Sequence, residues 1–297
     1  MAQELCLALL IFIVLANLDT TISIYHVHPS IKVSSLNMSS SFTNADPTEI
    51  GANLVSHYAR YRADSPPAGG YKGAMATLDV YSFPKSVETT GAIMWVTNGK
   101  PGQSDVNDLQ AGWIVDPSHY GDSKTHFFVY WTADGYKSTG CYNMECDGFV
   151  PVNGAPIIPG DTVDPAKGQS KISLKIFKNK DDGDWWLHFG YDINNLRPVG
   201  FWPKSLFTNL EDHAGLITWG GFTRSRKGNA SPPMGNGQWP GKNSASVQNV
   251  QLVDSTGQGH APPAWALRVF ASNKKCYQAS PFFDSMFYYG GPGGCTN

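Results

Sequence analysis

An all-β fold, an antiparallel β-sandwich of two sheets, is what this sequence predicts, and three observations predict it. The first is composition. Of 297 residues, 31 are Gly and 20 are Pro, 12% are aromatic and only 15% are charged, a profile of short strands and turns more than of helices. The second is periodicity. In "KISLKIFK" the residues Ile172, Leu174 and Ile176 share one face, and Lys171, Ser173 and Lys175 share the other, as in a half-buried strand. The third is punctuation. Pro101-Gly102, Asp134-Gly135 and Asn153-Gly154 are turn dipeptides set between apolar runs. No long segment of helical period interrupts them, which leaves a sandwich or a barrel.

Taken in order, the chain opens with "CLALLIFIVLA", Cys6 to Ala16. This run is too short to span a bilayer and matches a signal-peptide core. "NLDTTIS" follows, so residues 1–23 read as a signal peptide cut between Asp19 and Ser23. The leading segment carries Glu4 and no Lys or Arg, and the alternative is a buried N-terminal strand. Residues 24–70 read as a short propeptide-like or poorly structured segment, because "KVSSLNMSSSFTNADPTE" has little to bury. Within it, "LVSHYARYRA" predicts two helical turns, with Leu54, Tyr58 and Tyr61 at helical spacing. "SPPAGG" is a linker, which puts the domain boundary near Tyr71. From 71 to 297 the strands are "AMATLDVYSF", "HFFVYW", "KISLKIFK", "DWWLHFGYDI", "LITWGGFTRSR", "SVQNVQLV", "WALRVFA" and "SMFYYG".

With 22 basic against 24 acidic residues, no electrostatic case exists for nucleic acid or an anionic membrane surface. Once Cys6 leaves with the signal peptide, Cys141, Cys146, Cys276 and Cys295 remain, and they allow three pairings. Local closure favours Cys141–Cys146 and Cys276–Cys295, with reduced thiols as the alternative. The spacings do not repeat as a zinc site would, and no metal or cofactor is expected. Asn37 and Asn229 begin glycosylation sequons. No feature sets an oligomeric state.

Several motifs then occur together: "NDLQAGWIVDPSHYGD" (107–122), "YWTADGYKSTGCYNMECDGFV" (130–150), "DWWLHFG", "VGFWPKSLF", "WGG" and the terminal "YYGGPGG". In these the chain resembles the neprosin family over residues 71–297. That family comprises secreted plant proteins, some of them glutamic endopeptidases that cleave next to proline. The resemblance implies a two-sheet sandwich with a concave cleft across one face. It implies the same two disulfides, and an N-terminal activation segment that blocks the cleft, to be sought between 24 and 70.

It also implies a pair of glutamates, one ionised to take a proton from water and one kept protonated to donate. The first precedes the family's Ala-Gly-Trp, where this chain has Gln110. The second follows "WGG", where it has Phe222. No Asp or Glu stands between His213 and Val253. An amide and a phenyl ring exchange no protons near neutral pH, so the expectation is a non-catalytic member whose cleft holds a proline-rich peptide or a cell-wall polymer. The alternative is an acid endopeptidase on a rearranged carboxylate, Asp108 or Glu145. Asp108 shares the face of Gln110 if the strand is regular, although a solvated Asp at a strand start is the plainer reading. His188 and Trp219 complete the cleft candidates, with a structural strand His and a core Trp as the plainer alternatives. There is no G-x-S-x-G elbow and no H-E-x-x-H zinc motif.

Overall fold

The computed structural model describes residues 53–100 and 102–296. The expected signal peptide, residues 24–52 of the expected leader and Asn37 lie outside them. In chain order the strands begin β1 (Leu54–Ala63), β2 (Gly73–Asp79), β3 (Thr89–Asn98), β4 (Asn107–Val115) and β5 (His126–Thr132). There follow β6 (Cys141–Tyr142), β7 (Val150–Pro151), β8 (Lys171–Lys178), β9 (Trp185–Gly190), β10 (Arg197–Trp202) and β11 (Leu216–Arg226). The last are β12 (Ala245–Val253), β13 (Gly259–His260), β14 (Arg268–Ala271), β15 (Gln278–Ala279) and β16 (Phe287–Gly290).

Seven strands pair in the order β14-β1-β11-β3-β4-β5-β6. The second sheet has nine, ordered β15-β16-β12-β2-β8-β9-β10-β7 with β13 on β12. Within the two sheets every pairing is antiparallel. Alternation sends one side of each sheet into a shared core. Ala92, Met94 and Val96 of β3, with Leu109, Ala111 and Trp113 of β4, join Ile172, Leu174 and Ile176 of β8 in one buried cluster. Each large apolar side chain buried there contributes about 1.5–3 kcal/mol relative to exposure. The same parity splits a tryptophan pair: Trp185 is buried in this core, and Trp186 faces outward.

The helical expectation for residues 54–63 is corrected. They form β1, hydrogen-bonded to β11 along ten residues and to β14 on the other side. Among the described residues the sandwich therefore takes in Leu54–Ala63, ahead of the boundary expected near Tyr71. Tyr58 and Tyr61 suit helical spacing, but Ala59, Tyr61 and Ala63 also alternate into the core. Burial between two strands overrides a weak helical period. Gly220 explains part of "WGG". Its φ is +153°, and a Cβ there would lie 2.4 Å from the Ala59 carbonyl oxygen of β1. Both expected disulfides form, with Cα–Cα separations of 5.7 Å for Cys141–Cys146 and 6.0 Å for Cys276–Cys295. Asn229 is exposed in the β11–β12 connection, while Ser231 of the same sequon is buried and accepts from the Cys295 N–H at 3.1 Å.

Candidate functional site

The opposite parity of the seven-stranded sheet builds a second apolar cluster on its outward face. Tyr58, Ile93, Trp95, Ile114, Phe128 and Phe222 are buried in it, joined by Tyr130, Tyr136 and Tyr142. Register then defines rows across the sheet. Arg62, Thr218, Trp95, Gln110, Tyr130 and Tyr142 occupy one row from β1 to β6. Thr97, Asp108 and Thr132 occupy the next.

Asp108 and Gln110 meet at the centre of this face. The Thr97 hydroxyl donates to Asp108 Oδ1. Gln110 Nε2 and the Tyr136 hydroxyl each donate to Oδ2 at 2.7 Å. Asp108 is 1% exposed. Burial pushes its carboxyl up to about 7, against the three hydrogen bonds and the attraction of Arg60. The solvated-Asp reading is thus corrected: the carboxyl is enclosed and held on both oxygens. Arg60 lies among aromatics, its guanidinium carbon 4.2 Å from the Tyr58 ring centroid, 5.5 Å from Trp95 and 5.2 Å from Phe270. Burial lowers its pKa to about 10. Farther along the face, Arg224 donates to Asp116 Oδ2 at 2.8 Å in a buried ion pair.

At the centre of the Gln110 row three polar atoms are buried without a hydrogen-bond partner among the described residues, Gln110 Oε1, Trp95 Nε1 and Thr218 Oγ1, as are Arg62 Nε and the Tyr142 hydroxyl toward its ends. The central three comprise an acceptor, a donor and a hydroxyl capable of both, on three neighbouring strands. Buried polar groups are ordinarily paired, and each unmet group costs about 1–3 kcal/mol. This arrangement therefore suits a ligand that brings both N–H and C=O groups.

The remaining expected positions are distributed as follows. Phe222 shares the outward face with Gln110 but not its row: it pairs through Gly91 to Ile114, four residues along β4. The β11 residue in line with Gln110 is Thr218. Asp108 is the single carboxylate within β1, β3, β4, β5 and β11. Trp219 is not a cleft residue. It lies three positions from Phe222, on the opposite parity, and is fully buried between the sheets. His188 is not on this face either. It sits on the outward side of the nine-stranded sheet, where burial and Lys175 push its pKa down to about 4. Glu145 is exposed in the small disulfide loop and meets His119 Nε2 at 2.7 Å.

Tyr136, Thr97, Arg60 and Thr218 were not legible as site residues. The Asp134-Gly135 turn is the one local signal for Tyr136. Asp134 gathers the N–H groups of Lys137, Ser138 and Thr139, and the turn delivers Tyr136 at φ +65°. Among the described residues no group of three His, Cys, Asp or Glu could hold a metal ion, and no helix is long and apolar enough to cross a membrane.

The neprosin family model matches residues 86–292. Among solved structures, scytalido-glutamic peptidase in complex with a transition state analog inhibitor aligns at 10% identity, over 80% of this chain and 98% of that one, with a TM-score of 0.44. SCP-B, a member of the eqolisin family of peptidases in complex with the tripeptide Ala-Ile-His, aligns at 10% identity over the same shares with a TM-score of 0.40.

Proposed function

Because the chain belongs to the neprosin family, we propose that it is an exported, non-catalytic member that binds a proline-containing peptide on the outward face of its seven-stranded sheet. The observation that carries this reading is the row Thr218–Trp95–Gln110, with its three unmet polar atoms. An extended peptide supplies the complementary N–H and C=O groups, and it reaches them only where this face opens, because Thr218, Trp95 and Gln110 are 1%, 2% and 0% exposed. The chemistry for cleavage is incomplete. A two-carboxylate mechanism needs one acid and one base of separate pKa, and Asp108 has no second carboxylate in these strands. Its two oxygens already accept three hydrogen bonds. The two disulfides fit an exported protein.

The test is calorimetric binding and cleavage of a quenched proline-containing peptide between pH 3 and 6. Saturable binding without cleavage is expected, weakened by Gln110→Ala. Cleavage by the wild-type protein would overturn the reading. Gln110→Glu/Thr218→Glu places two carboxylates in one row, and acquired cleavage by that variant would show that the face retains a productive peptide geometry. A second reading, an acid endopeptidase using Asp108, is favoured by the carboxyl raised to about 7 beside the Gln110 amide. Wild-type cleavage abolished by Asp108→Asn would establish it, and cleavage unchanged by that substitution would end it.

A further inference from the structure

The outward face of the nine-stranded sheet has a separate chemistry. Phe177, Trp186 and Phe201 stand on directly paired positions of β8, β9 and β10, and all three are half-buried. Trp186 stacks on Phe201, with centroids 5.0 Å apart and ring planes 27° apart. Its indole N–H is held by Asp182 Oδ2 at 3.0 Å. His188 meets Phe177 edge-to-face at 5.0 Å.

At the Phe177 end this strip runs into a cavity of about 310 Å³, walled by Lys175, Lys178, Lys180, Thr256 and Gln258 and by no carboxylate. Lys175 lies 4.3 Å over the Phe177 ring. The nearby acids already have partners: Asp254 accepts from Thr256 and Gln258 of the cavity wall, pairs with His260 and attracts the Lys175 ammonium, Asp182 accepts from Trp186, and Asp184 accepts from the Lys204 N–H. The Lys178 ammonium is held below its ordinary pKa by burial and by Lys72 and Lys204, which outweigh Asp212 and Asp184. Four residues back along β8, Lys171 lines a second cavity of about 400 Å³ with Lys242, Asn243, Ser246 and Gln248. There Asp79 is occupied by Lys171 at 3.5 Å and by the Ser246 hydroxyl at 2.6 Å.

We propose that this face binds a linear acidic polysaccharide, a polymer of uronic acids. Pyranose rings present apolar C–H faces that pack on Phe177, Trp186 and Phe201. Uronate carboxylates meet the ammonium groups of Lys180 and of Lys175, which also donates to the Gly257 carbonyl at 2.7 Å, in charge-assisted hydrogen bonds, while the Lys178 ammonium donates to the Gly183 carbonyl beside Trp185. Hydroxyl and amide groups around both cavities pair with sugar hydroxyls. Lys171 and Lys175 are separated by about 13 Å of extended strand, so one polymer engages both cavities where a monosaccharide engages one. A neutral glycan leaves the lysines without anions, and an acidic peptide lacks the rings that the aromatic strip accepts.

The experiment measures binding of the full chain to polygalacturonate, to neutral galactan and to poly-glutamate by affinity electrophoresis and calorimetry. Polygalacturonate alone is expected to bind. Lys180→Glu/Lys242→Glu, both at exposed positions, should weaken it about tenfold or more with an unchanged melting temperature. Trp186→Ala should weaken it about tenfold, and Gln110→Ala should leave it unaltered, which separates this site from the peptide-binding face. Absent binding, equal binding of poly-glutamate, indifference to Trp186→Ala, or loss on Gln110→Ala would each overturn the proposal.

Discussion

The outward faces of the two sheets follow the same alternation and reach opposite states. On the seven-stranded sheet Tyr58, Trp95, Gln110 and Phe222 are almost wholly buried. On the nine-stranded sheet Phe177, Trp186, His188 and Phe201 remain half-buried beside lysines. Asp108 on the first face is raised to about 7 and His188 on the second is lowered to about 4, and burial is the first cause of both. The pattern of residues along a strand thus decides which side a group occupies. What lies over that side decides whether the group stays charged.

The largest break in this symmetry is expected from matched truncations. Phe222→Ala removes a fully buried ring and should cost about 3–5 kcal/mol. Phe201→Ala on the open face should cost about 1 kcal/mol. Urea denaturation of the two variants measures the difference, and equal losses would mean that the two faces are equivalently packed. Next in size is Asp116→Ala, which removes the carboxylate paired with Arg224 inside the seven-stranded face. A loss of about 3 kcal/mol in the same assay is expected, against less than about 1 kcal/mol for Arg62→Ala at the more open Arg62–Asp64 pair.

The pH dependence sharpens the comparison, because the two shifted groups act in opposite directions. Asp108 keeps its proton in the fold up to about 7, while the unfolded chain loses it near 3.8. Its contribution therefore falls as pH rises between those values. Asp108→Asn should remove that fall in melting temperature across the window. His188 is neutral in the fold down to about 4, while the unfolded chain takes up a proton near 6.5. Its contribution is present above about 6.5 and falls as pH drops toward 4. His188→Gln should flatten that limb by a smaller amount, since the residue is only half-buried. Melting curves of both variants from pH 4 to 8 test the two signs. A wild-type slope unaffected by either substitution would refute the assignment.

The second sheet was legible to the extent that its pattern was local. The alternation of "KISLKIFK" sets Ile172, Leu174 and Ile176 on one face, and the structure turns that face into the core; the alternation of "DWWLHFG" separates Trp185 from Trp186, and the structure decides that Trp185 and Leu187 face inward. The β1 segment was not legible, because Tyr58 and Tyr61 fit a helix as well as a strand. Only hydrogen bonding to both β11 and β14 distinguishes them. The candidate site was half legible. Asp108 and Gln110 are two residues apart on one strand, so their shared face follows from pleating alone.

Composition and period-two alternation therefore determined the all-β class and which residues of a strand share a face, because each is a property of neighbouring residues, and cysteine spacing favoured the two disulfides that form. Thr218, Trp95 and Gln110 come from three strands separated by many residues in the chain, and only inter-strand register set them in one row. Register likewise placed Phe222 four residues along the face from Gln110. Parity across the whole sandwich sent Trp219 into the core and His188 to the other sheet. The burial that lifts Asp108 toward neutrality outweighs hydrogen bonds from Thr97, Gln110 and Tyr136, a setting that no single stretch of sequence contains.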